Sequence, residues 1–184
     1  MAHQAAHDAV SANGRDFWGY ATRGYVELVQ HRHDRAKASF ERAVALGPNN
    51  ADSRALHASV LAFSGETQEA VDEMDLAIRL NPHYPSWYTL IIGQVYYMAG
   101  RHQEAIYLLE DVLDGGTDLT EARLILAANY AAAGRDEDAR SQIAGLLRDH
   151  SDVNVSHAVR QAPYRKRDDL ERYLTLLRRA GLPD

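Results

Sequence analysis

Apolar and small residues return along this chain at two nested intervals. Within short stretches they recur three and four residues apart, the spacing of one helix face: Ala36, Phe40 and Ala43; Ala70, Met74 and Ala77; Ala105, Leu109 and Val112; Ala139, Ile143 and Leu146. The leading alanines of these four sets are themselves 34, 35 and 34 residues apart. A fixed period of that length marks stacked supersecondary units, none of which can bury its apolar flank alone.

With units beginning at Phe17, Ala51, Ser86 and Thr120, the alanine column falls at the twentieth place and Gly24, Ala58, Gly93 and Ala127 fall at the eighth. Small residues at both places let two antiparallel helices cross at close range. Gly65, Gly100 and Gly134 at the fifteenth place supply the left-handed conformation that ends a first helix. His31 breaks that column, which predicts a first loop that is strained or different in shape. Pro48 and Pro82 end second helices, and Gly115-Gly116 serve as the breaker after the third unit. Asp118 with Glu121 has capping-box spacing before the run Leu124, Ile125, Leu126.

The pattern predicts helices at about 17–30, 35–46, 51–63, 68–79, 86–98, 102–113, 119–132 and 136–148. A further helix over 168–180 is expected to cap the row. It carries Leu170, Tyr173, Leu174 and Leu177 on one face, an Asp168/Glu171 capping box, and Gly181 and Pro183 as stops. The predicted organisation is a lead or partial capping helix over 1–16, four units at 17–50, 51–85, 86–119 and 120–153, then a linker and capping helix over 154–184.

Composition narrows the function. The chain has 184 residues, 46% of them hydrophobic, and 20 Lys plus Arg against 26 Asp plus Glu give a net charge of −6. That balance disfavours nucleic acid as a partner. Cysteine is absent, so there are no disulfides and no thiolate metal sites. No stretch reads as a secretory signal or a membrane span, and the expectation is a cytoplasmic protein without membrane association.

Candidate chemistry is sparse. His31-x-His33 and the helically spaced His3 and His7 could chelate a metal, but neither pair has a cysteine or carboxylate cluster beside it. A solvated turn and an undetermined lead explain them better. No Ser-His-Asp arrangement and no phosphate-cradling glycine loop can be assembled, so no catalytic residue, cofactor or metal is expected. The basic run Arg165-Lys166-Arg167 reads as a solvated linker.

The columns of small residue, glycine, alanine, aromatic or aliphatic, alanine and proline resemble the tetratricopeptide repeat over about residues 17–153. The third unit shows it most fully, with Trp87-Tyr88, Gly93, Tyr96, Gly100, Glu104-Ala105-Ile106 and Leu109. The resemblance implies an all-α fold, a right-handed superhelix of tandem helix-turn-helix units with a C-terminal capping helix. Arg23 and His57 at the seventh place, usually Leu, and Glu27 at the eleventh, usually Tyr, depart from it and predict looser packing in the first two units. The block Pro163-Tyr164, Asp169-Leu170-Glu171-Arg172-Tyr173 and Arg178-Arg179-Ala180-Gly181-Leu182-Pro183 resembles the tail closing tetratricopeptide regions of bacterial class III adenylate or guanylate cyclases.

First-helix places two, five, six, nine, twelve and thirteen follow one helix face and project toward the concave side of such a stack. Trp18 and Tyr25 from the first unit, with Trp87, Gln94 and Tyr97 from the third, are the candidate protein-binding residues. The relatives that clamp a terminal carboxylate carry Lys, Arg and Asn at these places, whereas this chain is mainly apolar there. The expected function is a non-catalytic scaffold holding a protein or peptide segment, or a second copy of itself. The alternative is the regulatory region of a cyclase signalling protein.

Overall fold

The computed structural model describes residues 17–114 and 120–184. The 1–16 lead with its His3/His7 pair, the Gly115-Gly116 breaker and the Asp118 cap lie outside those residues. The chain divides into two compact units, Met1–Tyr84 and Pro85–Asp184.

In unit 1, α1 (Phe17–Val29) pairs with α2 (His33–Leu46) and α3 (Ala51–Ser64) pairs with α4 (Thr67–Leu80). The two hairpins stack through α2 on α3 and α1 on α3. The column residues form the core: Ala36, Phe40, Ala43, Ala58, Ala70, Met74 and Ala77 are all buried. Gly24 shows why the eighth place must be small. A Cβ there would stand 2.9 Å from Cδ2 and Cε2 of Phe40, a buried ring with little room to yield.

The His31 loop is strained, as expected, but it is not different in shape. His31 has φ 57°, in the same left-handed region as Gly65 (80°), Gly100 (72°) and Gly134 (77°). Its N–H donates to Leu28 O and that of Arg32 donates to Glu27 O, the pattern repeated at Gly65 and Glu66. The hydrogen bonds closing the helix thus outweigh the steric cost of a side chain at that φ, about 1–2 kcal/mol. Glycine would remove that cost but lose about 0.5–1 kcal/mol in chain entropy. His31→Gly is therefore expected to stabilise unit 1 by about 0.5–1 kcal/mol, read as a raised thermal midpoint.

The polar departures in the first two repeats are paired. Buried Glu27 accepts from Ser39 Oγ at 2.6 Å and from Arg23 Nε at 3.1 Å, joining α1 to α2. Glu73 on α4 accepts from Arg54 at 2.9 Å and lies 3.9 Å from His57, both on α3. Burial pushes the Glu73 carboxyl up, but His57 and Arg54 more than offset it and hold it below the usual glutamate value.

In unit 2, α5 (Trp87–Met98) pairs with α6 (His102–Asp114) and α7 (Thr120–Ala132) pairs with α8 (Asp136–Asp149). Asn129, fully buried on α7, donates to Ile125 O at 2.9 Å and accepts from His102 Nδ1 at 3.0 Å, tying α6 to α7. Two helices follow, α9 (Val155–Gln161) and α10 (Arg167–Arg179).

Residues read as linker therefore contain α9, which starts at an Asn154 cap accepting from His157 N at 2.9 Å. Seven residues are too few to show a helical period in the sequence. The capping box assigned to Asp168 and Glu171 is also corrected. The helix starts at Arg167, and its N-cap is Lys166, two residues before Asp168; Lys166 makes no side-chain cap. Asp168 and Asp169 instead lie inside the first turn and Arg178 and Arg179 in the last, complementing the helix dipole. Gly181 ends α10 with φ 98°, and Leu182 N–H closes onto Leu177 O at 3.0 Å.

Candidate protein-binding faces

On α1 of unit 1, Trp18, Thr22, Tyr25 and Val29 are spaced four, three and four apart and form one exposed stripe. Trp18 is 47% exposed and Tyr25 57%, and Val29 is likewise open. The opposite side of the helix holds the stripe in place: Ala21, Gly24 and Leu28 are buried against α2 and α3. Trp18 rests against Phe17, ring centroids 5.1 Å apart. Two large aromatics held half out of a rigid helix suit capture of another chain, burying area at small entropy cost.

The equivalent face of unit 2 is covered. Gln94 and Tyr97, expected to line an open groove, are 5% and 4% exposed. Gln94 Nε2 donates to Tyr164 Oη at 2.6 Å in a buried contact across 70 residues of sequence. The Tyr97 ring meets Tyr173 of α10 edge-on at 5.7 Å, and Tyr164 lies 5.7 Å from Tyr173. Arg172 stands over Tyr97 at 5.9 Å. The chain's own C-terminal segment thus covers the side chains that the sequence pattern places on this face. Trp87 is half-buried against Tyr88, 4.3 Å away.

Burial pushes the phenols of Tyr97, Tyr164 and Tyr173 above the ordinary tyrosine value. The Arg172 guanidinium offsets part of this at Tyr97 and Tyr164. Among the described residues no three His, Asp or Glu side chains converge to hold a metal. No helix among them is long and apolar enough to cross a membrane.

Two family models described as tetratricopeptide repeat match residues 22–85 and 96–162, together well over half of the chain. No curated protein sequence matches it. Among solved structures it is similar to YrrB, described as a tetratricopeptide protein with an unusual peptide-binding site (21% identity, 96% of this chain and 90% of that one, TM-score 0.59). It is also similar to PilW, a widely conserved type IV pilus biogenesis factor (18%, 95% and 78%, TM-score 0.69). A third is TTC0263, a thermophilic tetratricopeptide protein of Thermus thermophilus (24%, 94% and 87%, TM-score 0.65). At these identities the likeness is one of fold.

Proposed function

Because the chain is a tetratricopeptide repeat protein, we propose that it is a non-catalytic cytoplasmic scaffold, which holds a protein segment on the first-helix face of unit 1. The observation that carries this reading is the α1 stripe, where Trp18 and Tyr25 stand about half exposed on a helix otherwise locked into the core.

Area favours a short segment over a second copy of the chain. An aromatic side chain buries about 150–250 Å², so two half-exposed ones offer about 200 Å². A stable dimer needs about 800 Å² from each partner. Self-association through this stripe alone is correspondingly weak.

Replacing Trp18 and Tyr25 together by alanine is expected to weaken partner binding by about thirtyfold or more, the size of one interface hot spot. The thermal midpoint should barely move, since exposed side chains contribute within about 0.5 kcal/mol. The check is quantitative binding of partners recovered from the source cell, with a melt alongside. Unchanged affinity in a folded double variant would remove the stripe from the account.

The C-terminal block supports a second reading, in which such a chain is the regulatory region of a nucleotide cyclase signalling protein. Its test is genomic: continuity of the coding sequence with a cyclase domain. A coding sequence without one would rule it out.

A further inference from the structure

Residues 154–184 do more in this fold than end a stack of repeats. After α9 the chain makes a three-residue turn about Pro163, with Tyr164 N–H donating to Ala162 O at 2.7 Å. The turn presses Ala162, Pro163 and Tyr164 into the protein and delivers the Tyr164 hydroxyl to the Gln94 amide. Gln94 and Tyr97 stand at first-helix places nine and twelve, where the repeat offers side chains to a ligand. The segment seated on them is therefore placed as a ligand would be, but it is supplied by the same chain.

We infer that unit 2 carries a second recognition face, specific for a segment that presents a tyrosine from a proline turn, and that the chain's own Pro163-Tyr164 and α10 fill it as a competitor in cis. This rests on the reading of the protein as a segment-binding scaffold. It adds the chemistry of the partner: a tyrosine hydroxyl for Gln94 and an aromatic edge for Tyr97.

The seam between the segment and the repeats suits exchange. A cavity of about 170 Å³, lined in part by Tyr97, Met98, His102, Arg172 and Leu176, opens along it. The ion pair joining α10 to α8, Arg179 to Asp136 at 2.9 Å, is half exposed on both sides and adds little, although Arg179 also donates to Ala131 O of α7. The segment is kept in place chiefly by the Tyr97, Tyr164 and Tyr173 rings, the Gln94 bond and the apolar face of α10. Because the cis copy is covalently attached, its effective concentration is high, and a free segment competes poorly until those contacts are weakened.

The test uses the full chain and, as probe, a synthetic peptide of residues 155–184. Wild type is expected to bind it negligibly. Tyr164→Ala with Tyr173→Ala loosens the cis segment but leaves the receptor face intact, and should bind the peptide at least about tenfold more tightly than wild type does. Adding Gln94→Leu should reduce that binding by about tenfold, the loss of one buried hydrogen bond. A folded loosened variant that ignores the peptide overturns the proposal, and the Trp18/Tyr25 experiment still decides the unit 1 face separately. If the loosened variant does not fold, hydrogen exchange on wild type decides. Amides of α9 and α10 should open together before those of α5 to α8, whereas exchange only through global unfolding of unit 2 would overturn the idea.

Discussion

Tyr173→Ala is expected to weaken the attachment of α10 within unit 2 by about 3–5 kcal/mol. Tyr173 is buried among Tyr97, Tyr164 and the core side of α10, where Leu174 and Leu177 are also buried. Truncation removes the ring and leaves a void between two elements that cannot collapse freely. Tyr107→Ala is the matched control on α6, since Tyr107 is 72% exposed, and should cost within about 0.5 kcal/mol. Urea unfolding followed by circular dichroism compares the two. Equal, small losses would mean that α10 is a loosely attached tail.

Alkaline pH should dismantle the same cluster. Tyr97, Tyr164 and Tyr173 all have phenols raised above their ordinary value, burial being the largest cause at each. Above about pH 10 the unfolded chain loses these protons while the native state keeps them, so stability must fall as pH rises. Below about pH 10 the contribution is fully present. Each retained proton costs about 1.4 kcal/mol per pH unit, so Tyr164 and Tyr173 together cost about 3 kcal/mol per unit. The measurement is unfolding free energy against pH with phenolate absorbance recorded in parallel. The slope should flatten in Tyr164→Phe with Tyr173→Phe. Ionisation of all three phenols at their ordinary pH, with the fold intact, would contradict the buried cluster.

Much of the fold is legible in the sequence because its determinants are local. Columns of Ala, Gly and large apolar residues state the helix face, the crossing point and the turn in consecutive positions, and the helix bounds follow within two residues. His31 is harder to read. Its identity points to an altered loop, but the hydrogen bonds from its own N–H and from Arg32, which hold the glycine geometry, come from the fold. Glu27 and Arg23 read as misfits against the repeat because the further partner of Glu27, Ser39, lies on the next helix.

The candidate site is legible only in part, for the same reason. Helical spacing places Trp18 and Tyr25 on an exposed stripe and Gln94 and Tyr97 on the corresponding face of the third repeat. Periodicity does not tell whether another part of the chain covers that face. Here the cover arrives from 70 residues away, through a proline turn and α10. The signal is present in Pro163-Tyr164 and in Tyr173 on the apolar side of the capping helix. Only the tertiary structure connects them to Gln94 and Tyr97.

One first-helix face is exposed, and the other is filled by the chain itself. Mild tyrosine nitration of the native full-length protein, mapped by mass spectrometry, tests it most directly. Tyr25 and Tyr107 should react readily, whereas Tyr97, Tyr164 and Tyr173 should stay protected until the protein is unfolded. Ready nitration of Tyr97 and Tyr164 in the native state, or protection of Tyr25, would contradict it.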